Sequence, residues 1–470
     1  MAPAIQPRNE TNREDLGFGG HGEKQWPTVT RRVSKFLTSG DSKTALEKEL
    51  VRLNLNIDDL AQSKVPRKPR IFYGWWIIFG GMAGMIIQNG FNFHGLNAFV
   101  LPLSESFGVS VSLVAASISF ARIETAFIGP LEGYLVDRFG PKTMMLIGVP
   151  IMSAGFLLAS IASSYGMFVV ALLAGIVLGV SLGIHSPITT AVANWWIKKR
   201  GRAFGILWLG QSAGAAVVPI VNWLIETTGW RGAFRIMGVI VLMIGLPVAM
   251  VMRHRPEQYG LLPDGDRSPE PPELRESVSD NRDQLNTSEA EEFTPWEALR
   301  TATFWFFALS VSVRVGVTTA IAINSFPLVI AMGGTAGQAS LLFLMQGVFS
   351  APGRLFLSWV GDAINKRHIM AVSLAIMCVC LLFMAQVTTL SQLYIVWIPY
   401  TIVWGGLTSV PHSLRADLFG RRNFASIQGV MAPIQLPFNL VAPIFVAWVF
   451  ERTGSFQIPL TLFSVLTFIS

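Results

Sequence analysis

The sequence predicts an all-α integral membrane protein in which twelve transmembrane helices form two six-helix bundles. Three observations predict it. Hydrophobic residues make up 51% of the 470 and charged residues only 14%, whereas a soluble chain carries about 25% charged residues. The apolar residues gather into stretches of about twenty, the length that crosses a bilayer. Two motifs also recur at a single offset. Gly133-Tyr-Leu-Val-Asp-Arg-Phe-Gly-Pro-Lys142 returns as Ser358-Trp-Val-Gly-Asp-Ala-Ile-Asn-Lys-Arg367, and Trp223-Leu-Ile-Glu-Thr-Thr-Gly229 as Trp448-Val-Phe-Glu-Arg-Thr-Gly454, each 225 residues further on. One offset shared by unrelated motifs argues for a duplicated unit of about six helices.

Residues 1–70 carry scattered charges and no apolar run long enough to span. A cytoplasmic, largely disordered tail is expected there, with one short amphipathic helix between Ser42 and Leu60 and no cleavable signal peptide. Arg67, Lys68 and Arg70 mark the start of the first span. Spans are expected at 72–102, 110–136, 142–163, 166–195, 202–226, 232–252, 303–332, 337–361, 369–388, 391–413, 423–450 and 456–470. This divides the chain into an N-terminal bundle (71–253), a linker (254–300) and a C-terminal bundle (301–470). The linker runs through Arg255-Pro-Glu-Gln-Tyr-Gly-Leu-Leu-Pro-Asp-Gly265 and then becomes acidic and Ser/Pro-rich, as a flexible tether does. The last span has about fifteen residues, short of a crossing, so a helix truncated by the end of the sequence is expected.

Alternate loops hold the cations: Arg138 and Lys142; Lys198, Lys199, Arg200 and Arg202; Arg253 and Arg255; Lys366 and Arg367; Arg421 and Arg422. The opposite loops hold little beyond Arg231 and Arg452. Basic loops stay in the cytoplasm, so both halves begin inside, and a cell-membrane protein with a cytoplasmic N-terminus is expected. The sequons at Asn9 and Asn286 then face the cytoplasm and carry no glycan. Cys378 and Cys380, both in one apolar run, are expected to serve packing alone.

The stretch from Gly133 to Lys142 sets Gly133, Asp137, Arg138, Gly140 and Lys142 in a turn between two apolar runs. Membrane helices joined so tightly need a cationic, glycine-containing hinge. The stretch resembles the signature loop of the major facilitator superfamily, G-x-x-x-D-R-x-G-x-[RK], with every fixed position present. Its second copy supplies Asp362 and Arg367 but has Ser358 and Asn365 at the glycine positions. The resemblance implies the major facilitator fold and a gating role for these loops, with the complete first copy the more important. Phe72-Tyr-Gly-Trp-Trp76, Asn194-Trp-Trp-Ile-Lys-Lys-Arg-Gly-Arg-Ala-Phe-Gly205, Arg255-Pro-Glu-Gln-Tyr-Gly260 and Arg415-Ala-Asp-Leu-Phe-Gly-Arg-Arg422 narrow it. Together they look like the monocarboxylate porter and oxalate/formate antiporter branch.

In that branch an arginine of the eighth span, eight residues before the loop aspartate, binds the substrate carboxylate. The matching residue is Arg354. An arginine about 12 Å inside the membrane is costly unless it faces a wet cavity or a partner, and its planar fork suits a carboxylate. The alternative to the substrate role is a structural ion pair or a snorkelling side chain that holds the helix bundle. The oxalate/formate members add a lysine in the eleventh span, which 424–450 lacks; the departure favours a singly charged substrate. Arg314, in the middle of the seventh span, is either a second anion contact or a packed structural cation.

Arg122 and Glu124 lie near the middle of the second span, with Glu132 lower down. Residues two apart face different sides of a helix, so each needs a partner elsewhere. Glu124 is either a proton carrier or one side of a salt bridge to Arg314 or Arg354. His94, in the polar set Asn92-Phe-His-Gly-Leu-Asn97, is a substrate or proton contact or a packing histidine. His185, Ser186, Thr189 and Asn194 make a polar stripe in the fourth span, and Gln211 has similar company in the fifth. Such stripes line cavities or join packed helices. His412 is expected at the membrane interface. Gly175, Gly179 and Gly183 share a face and allow close helix approach.

No phosphate loop, metal-ligand cluster or nucleophile–base pair is visible, so no enzyme, cofactor or metal is expected. The net charge of +7 sits at helix ends and does not imply nucleic acid. The expected function is secondary transport of a small organic anion, a monocarboxylate with a proton, by a monomer in the lipid bilayer. Rival readings are anion exchange of the oxalate/formate type and a non-transporting membrane sensor.

Overall fold

The computed structural model describes residues 72–266 and 292–470. The N-terminal tail with its expected helix, and the acidic part of the linker, lie outside the described residues, as does the Arg122 side chain. Twelve membrane helices follow in order among the described residues: α1 (74–107), α2 (Val111–Phe139), α3 (Pro141–Ser160), α4 (Tyr165–Trp195), α5 (200–228), α6 (230–251), α7 (Ala302–Ala331), α8 (Ala336–Val360), α9 (Lys366–Gln386), α10 (Leu390–Phe419), α11 (Phe424–Thr453) and α12 (Gln457–Ile469).

Polar side chains start several of these helices by satisfying the first free N–H groups. Ser110 and Ser164 cap α2 and α4. Thr335 with Gln338, and Thr389 with Gln392, form reciprocal capping boxes at α8 and α10. Eight segments are long and apolar enough to cross a membrane, one of them Arg200–Val251 with 52 residues. At 1.5 Å per residue a straight helix of that length would be about 78 Å long, over twice the bilayer core. It turns back at Gly229, whose φ of 70° and ψ of 168° break the helix. Contacts confirm the reversal: Gly201 meets Asp362, Arg231 donates to the Ala162 carbonyl, and Val251 returns to accept from Tyr73.

The remaining crossings miss that measure for local reasons. α1 is interrupted by a π-helical turn, Gln88–His94, and a 3-10 turn, Gly95–Phe99, where the polar set falls. α2 carries Glu124, Glu132, Asp137 and Arg138. α12 has only 13 residues.

α1–α6 close one apolar core and α7–α12 another. Phe99, Phe156 and Phe234 are fully buried in the first, as are Phe304, Trp397 and Tyr400 in the second. Large side chains such as Phe127, Met243 and Phe306 point outward, as a bilayer-facing surface requires. The glycine face of α4 packs on α3, with Gly183 against Gly148 and Gly175 against Gly155. Cys378 and Cys380 are buried, free thiols.

Two expectations shift. α10 continues to Phe419, six residues beyond the expected 413, because Ser413, Leu414, Arg415 and Ala416 are buried rather than leaving the membrane as a loop. The first part of the expected tether is packed against the bundle. Trp195 Nε1 donates to the Arg253 carbonyl at 3.1 Å and Asn194 Nδ2 to the His254 carbonyl at 3.0 Å. The Arg253 guanidinium lies over the rings of Tyr73 (3.8 Å) and Tyr259 (4.3 Å). The Asp264 carboxylate accepts the N–H groups of Ile197, Lys198 and Lys199 at 2.8–3.0 Å. Residues 252–266 thus form a strap across the end of the bundle that carries the basic loops.

Candidate anion site and gate

At that end each signature-loop aspartate reaches into the opposite half. Asp137 accepts the N–H groups of Ala425 (3.2 Å) and Ser426 (2.7 Å), the first turn of α11. Asp362 accepts those of Gly201 (2.7 Å) and Arg202 (3.0 Å), the first turn of α5. A helix N-terminus offers free N–H groups and a partial positive charge, so a carboxylate is the natural plug. The approach is tight. A methyl group on Gly133 would stand 2.2 Å from the Ala425 carbonyl oxygen, and one on Gly201 would stand 2.3 Å from that of Ser358. The second loop has serine where the first has Gly133, and the glycine needed at the crossing comes from the partner helix.

Further pairs close the same end. Arg200 pairs with Asp417 at 2.6 Å, and Arg421 pairs with Glu257 of the strap while donating to the Asn194 carbonyl. Arg138 stays exposed beside Tyr134, Lys142 and Arg367 are exposed, and none of the three forms an ion pair among the described residues. Gly140 takes φ 83° between α2 and α3, against His254.

Deeper in, Arg354 of α8 is 1% exposed and lies on the seam between the halves. Its Nε donates to Thr408 Oγ1 at 3.1 Å. Nη1 donates to the Trp208 carbonyl at 3.1 Å and to Ser212 Oγ, and Nη2 to Gln211 Oε1 at 2.9 Å. The Trp404 ring lies 5.2 Å from the guanidinium. Every one of these partners is neutral, and no carboxylate pairs with Arg354 among the described residues. The structure brings Arg354 and Gln211, both singled out in the sequence, into hydrogen-bond contact.

Arg314 is elsewhere. It lines a cavity of about 270 Å³ between the halves that does not include Arg354. Glu132, His185 and Ser186 come from the first half; Arg314, His412, Arg415 and Gln428 come from the second. Arg415 Nη2 donates to Gln428 Oε1 at 2.6 Å and lies 3.3 Å from His412 Nδ1, while Gln428 Nε2 lies 3.3 Å from His185 Nδ1. His412, expected at the membrane interface, belongs to this cluster because α10 runs deeper than its hydropathy suggests. Glu132 is buried beside Ser186 in the lining.

Glu124 is half-buried, its Oε2 has no partner, and it forms no ion pair with Arg314 or Arg354 among the described residues. His94 lies at the end of the π-helical turn of α1, its ring 5.0 Å from that of Phe93. Sequence reasoning missed Trp208, Ser212 and Thr408 around Arg354, and Gln428 in the cavity. Gln428 and Gln435 interrupt an apolar run, a signal that could have marked them.

The sequence profile of the Major Facilitator Superfamily matches residues 82–433. The chain is 26% identical over 328 residues to the oxalate:formate antiporter of Oxalobacter formigenes, covering 68% of this chain and 71% of that protein. It is 25% identical over 410 residues to monocarboxylate transporter 12 of Mus musculus, covering 82% and 81%. Among solved structures it resembles FucP in its outward conformation, with a TM-score of 0.63 at 17% identity over 85% of this chain and 97% of that one. The human organic anion transporter MFSD10 matches at a TM-score of 0.60 and 13% identity, over 86% and 99%. Two six-helix halves, a recurring signature loop and a profile match across most of the described residues agree: this chain belongs to the Major Facilitator Superfamily.

Proposed function

We propose that the protein is a secondary active transporter of a small organic anion, a monocarboxylate carried with a proton, which docks on Arg354. The observation that carries this reading is the Arg354 guanidinium itself. It is buried on the seam between the halves, donates to acceptors on both, and has no acidic partner among the described residues. A lone cation at that depth is expensive, and a carboxylate arriving on its fork would supply the counter-charge. An anion touching both halves would also couple its own binding to their relative motion. The names of the relatives, an oxalate:formate antiporter and a monocarboxylate transporter, support the substrate class. Glu124, with Arg122 two positions before it, is the candidate for the proton. The basic loops and the N-terminus are assigned to the cytoplasmic face of the cell membrane, and the working unit to a monomer.

Proteoliposomes containing the full chain test this. A pH gradient alone should drive uptake of a labelled monocarboxylate such as lactate or benzoate. Arg354→Lys, which keeps the charge and loses the fork, should raise the half-saturating concentration about ten- to a hundredfold, the equivalent of one charged hydrogen bond of roughly 1.5–3 kcal/mol. Uptake that requires internal anion and ignores the pH gradient identifies an exchanger. A wild-type half-saturating concentration for uptake in a well-folded Arg354→Gln chain removes Arg354 from the transport site.

A further inference from the structure

We propose a second anion site, built on Arg314 and Arg415 and distinct from Arg354, that takes a small carboxylate with an apolar body. Both arginines line the same cavity. Arg314 is 8% exposed and Arg415 5%, and the Nε of each is buried with no acceptor. Neither Arg314 nor Arg415 forms an ion pair among the described residues; the Arg415 guanidinium meets Gln428 and His412, lies 4.1 Å over the Phe424 ring, and has the Asp137 carboxylate near it only at longer range. A buried donor without an acceptor loses its hydration and gains nothing in return, and the loss is larger for a charged group. Two such groups facing one space are best satisfied by a single anion lying between them.

The chemistry of the walls narrows the ligand. Guanidinium forks match the two oxygens of a carboxylate. Phe307, Val311, Val315 and Met431 add apolar surface to an otherwise largely polar lining, and such a patch can hold a small organic body beside the cations. Glu132, the one acid of the lining, forms no ion pair with either arginine among the described residues. Trp208 links this cavity to the first site. Its carbonyl accepts from Arg354, while its ring lies 5.0 Å from that of His412 and 5.8 Å from that of His185. The anion thus has two stations, on Arg354 and on the Arg314–Arg415 pair, with the Trp208 side chain at their boundary. The role as a station rests on the transport reading; the site itself stands on binding alone.

The test is equilibrium binding of radiolabelled benzoate to the detergent-purified full chain. Binding should persist in Arg354→Gln and weaken at least tenfold when Arg314→Gln or Arg415→Gln is added. Arg314→Lys, which keeps the charge without the fork, should weaken it less. Melting curves confirm that each variant is folded, and Arg354→Lys replaces Arg354→Gln as the background where the latter is not. Benzoate binding by the wild type that disappears in the Arg354-substituted background overturns the second site and leaves the first standing. Binding that survives there unchanged by both Arg314→Gln and Arg415→Gln also overturns it. No binding by the wild type overturns both.

Discussion

Burial without a partner marks the single residues on which a test can be built, and His254 is one that lies outside the membrane helices. Burial, reinforced by the neighbouring Arg255, holds its imidazole below the usual range, and its Nδ1 has no partner. In the unfolded chain the same group titrates near pH 6.5. On acidification the unfolded chain therefore takes up a proton that the folded one refuses. The contribution to stability is full above about pH 6.5 and is lost as the pH falls through the lowered folded value. Melting temperature should thus drop more between about pH 7.5 and 5.5 in the wild type than in His254→Phe, which does not titrate. Equal drops would show that His254 is not the group responsible. At this scale the sequence is legible where the physics is costly. Arg354 and Arg314 stand out because charges are rare in apolar runs. The Trp208 carbonyl, Ser212 and Thr408 are ordinary until two helices cross and bring them to one guanidinium. Arg415 was visible as part of a motif, yet hydropathy ended α10 before it and set it outside the cavity.

Among the elements, the strap 252–266 gives the sharpest test. Asp264 holds φ 58°, a conformation that Asn, Asp and Gly tolerate better than other residues. Its carboxylate holds three consecutive N–H groups just before α5 begins. Asp264→Ala removes both acceptor oxygens, leaves three N–H groups unpaired and keeps the strained backbone, so a loss of roughly 2–3 kcal/mol is expected. Asp264→Asn keeps one neutral acceptor and the backbone preference and should lose about half as much. Thermal melting in detergent reads both. Unchanged melting in Asp264→Ala would mean that the strap does not stabilise the start of α5. Helix positions were largely legible, because twenty apolar residues have few other uses in a chain of this kind. The strap was not. Its residues are polar, glycine-rich and proline-rich, a composition shared by free tethers and by segments fastened through side-chain–backbone bonds. The break in α1 was half-legible: the polar set from Asn92 to Asn97 was seen, but not the π-helical turn that carries it.

For the molecule as a whole, the two halves meet at the basic end through a pseudo-symmetric pair of crossings, and the symmetry makes a prediction that the motifs alone do not. The incomplete second signature loop suggests that Asp362 matters less than Asp137. In the structure Asp362 accepts two N–H groups just as Asp137 does, and Gly201 restores the close approach that Ser358 would otherwise lack. Replacing either aspartate by asparagine leaves a neutral acceptor and removes the charge-assisted part of the bond, roughly 1–2 kcal/mol. The closed-to-open ratio should therefore fall about five- to thirtyfold in each single variant, and by the product of the two in the double variant if the crossings act independently. Spin labels introduced by Lys199→Cys and Arg422→Cys, exposed positions at this end in opposite halves, would report it once Cys378 and Cys380 are replaced by serine. The short-distance population should shrink by similar amounts in Asp137→Asn and Asp362→Asn, and benzoate affinity should stay within about twofold of wild type in Asp362→Asn, since Asp362 neither lines the cavity nor touches Arg354. A large shift for Asp137→Asn with none for Asp362→Asn would restore the dominance of the complete loop. An unchanged distance distribution in the double variant would mean that other contacts, Arg200–Asp417 first among them, hold this end shut.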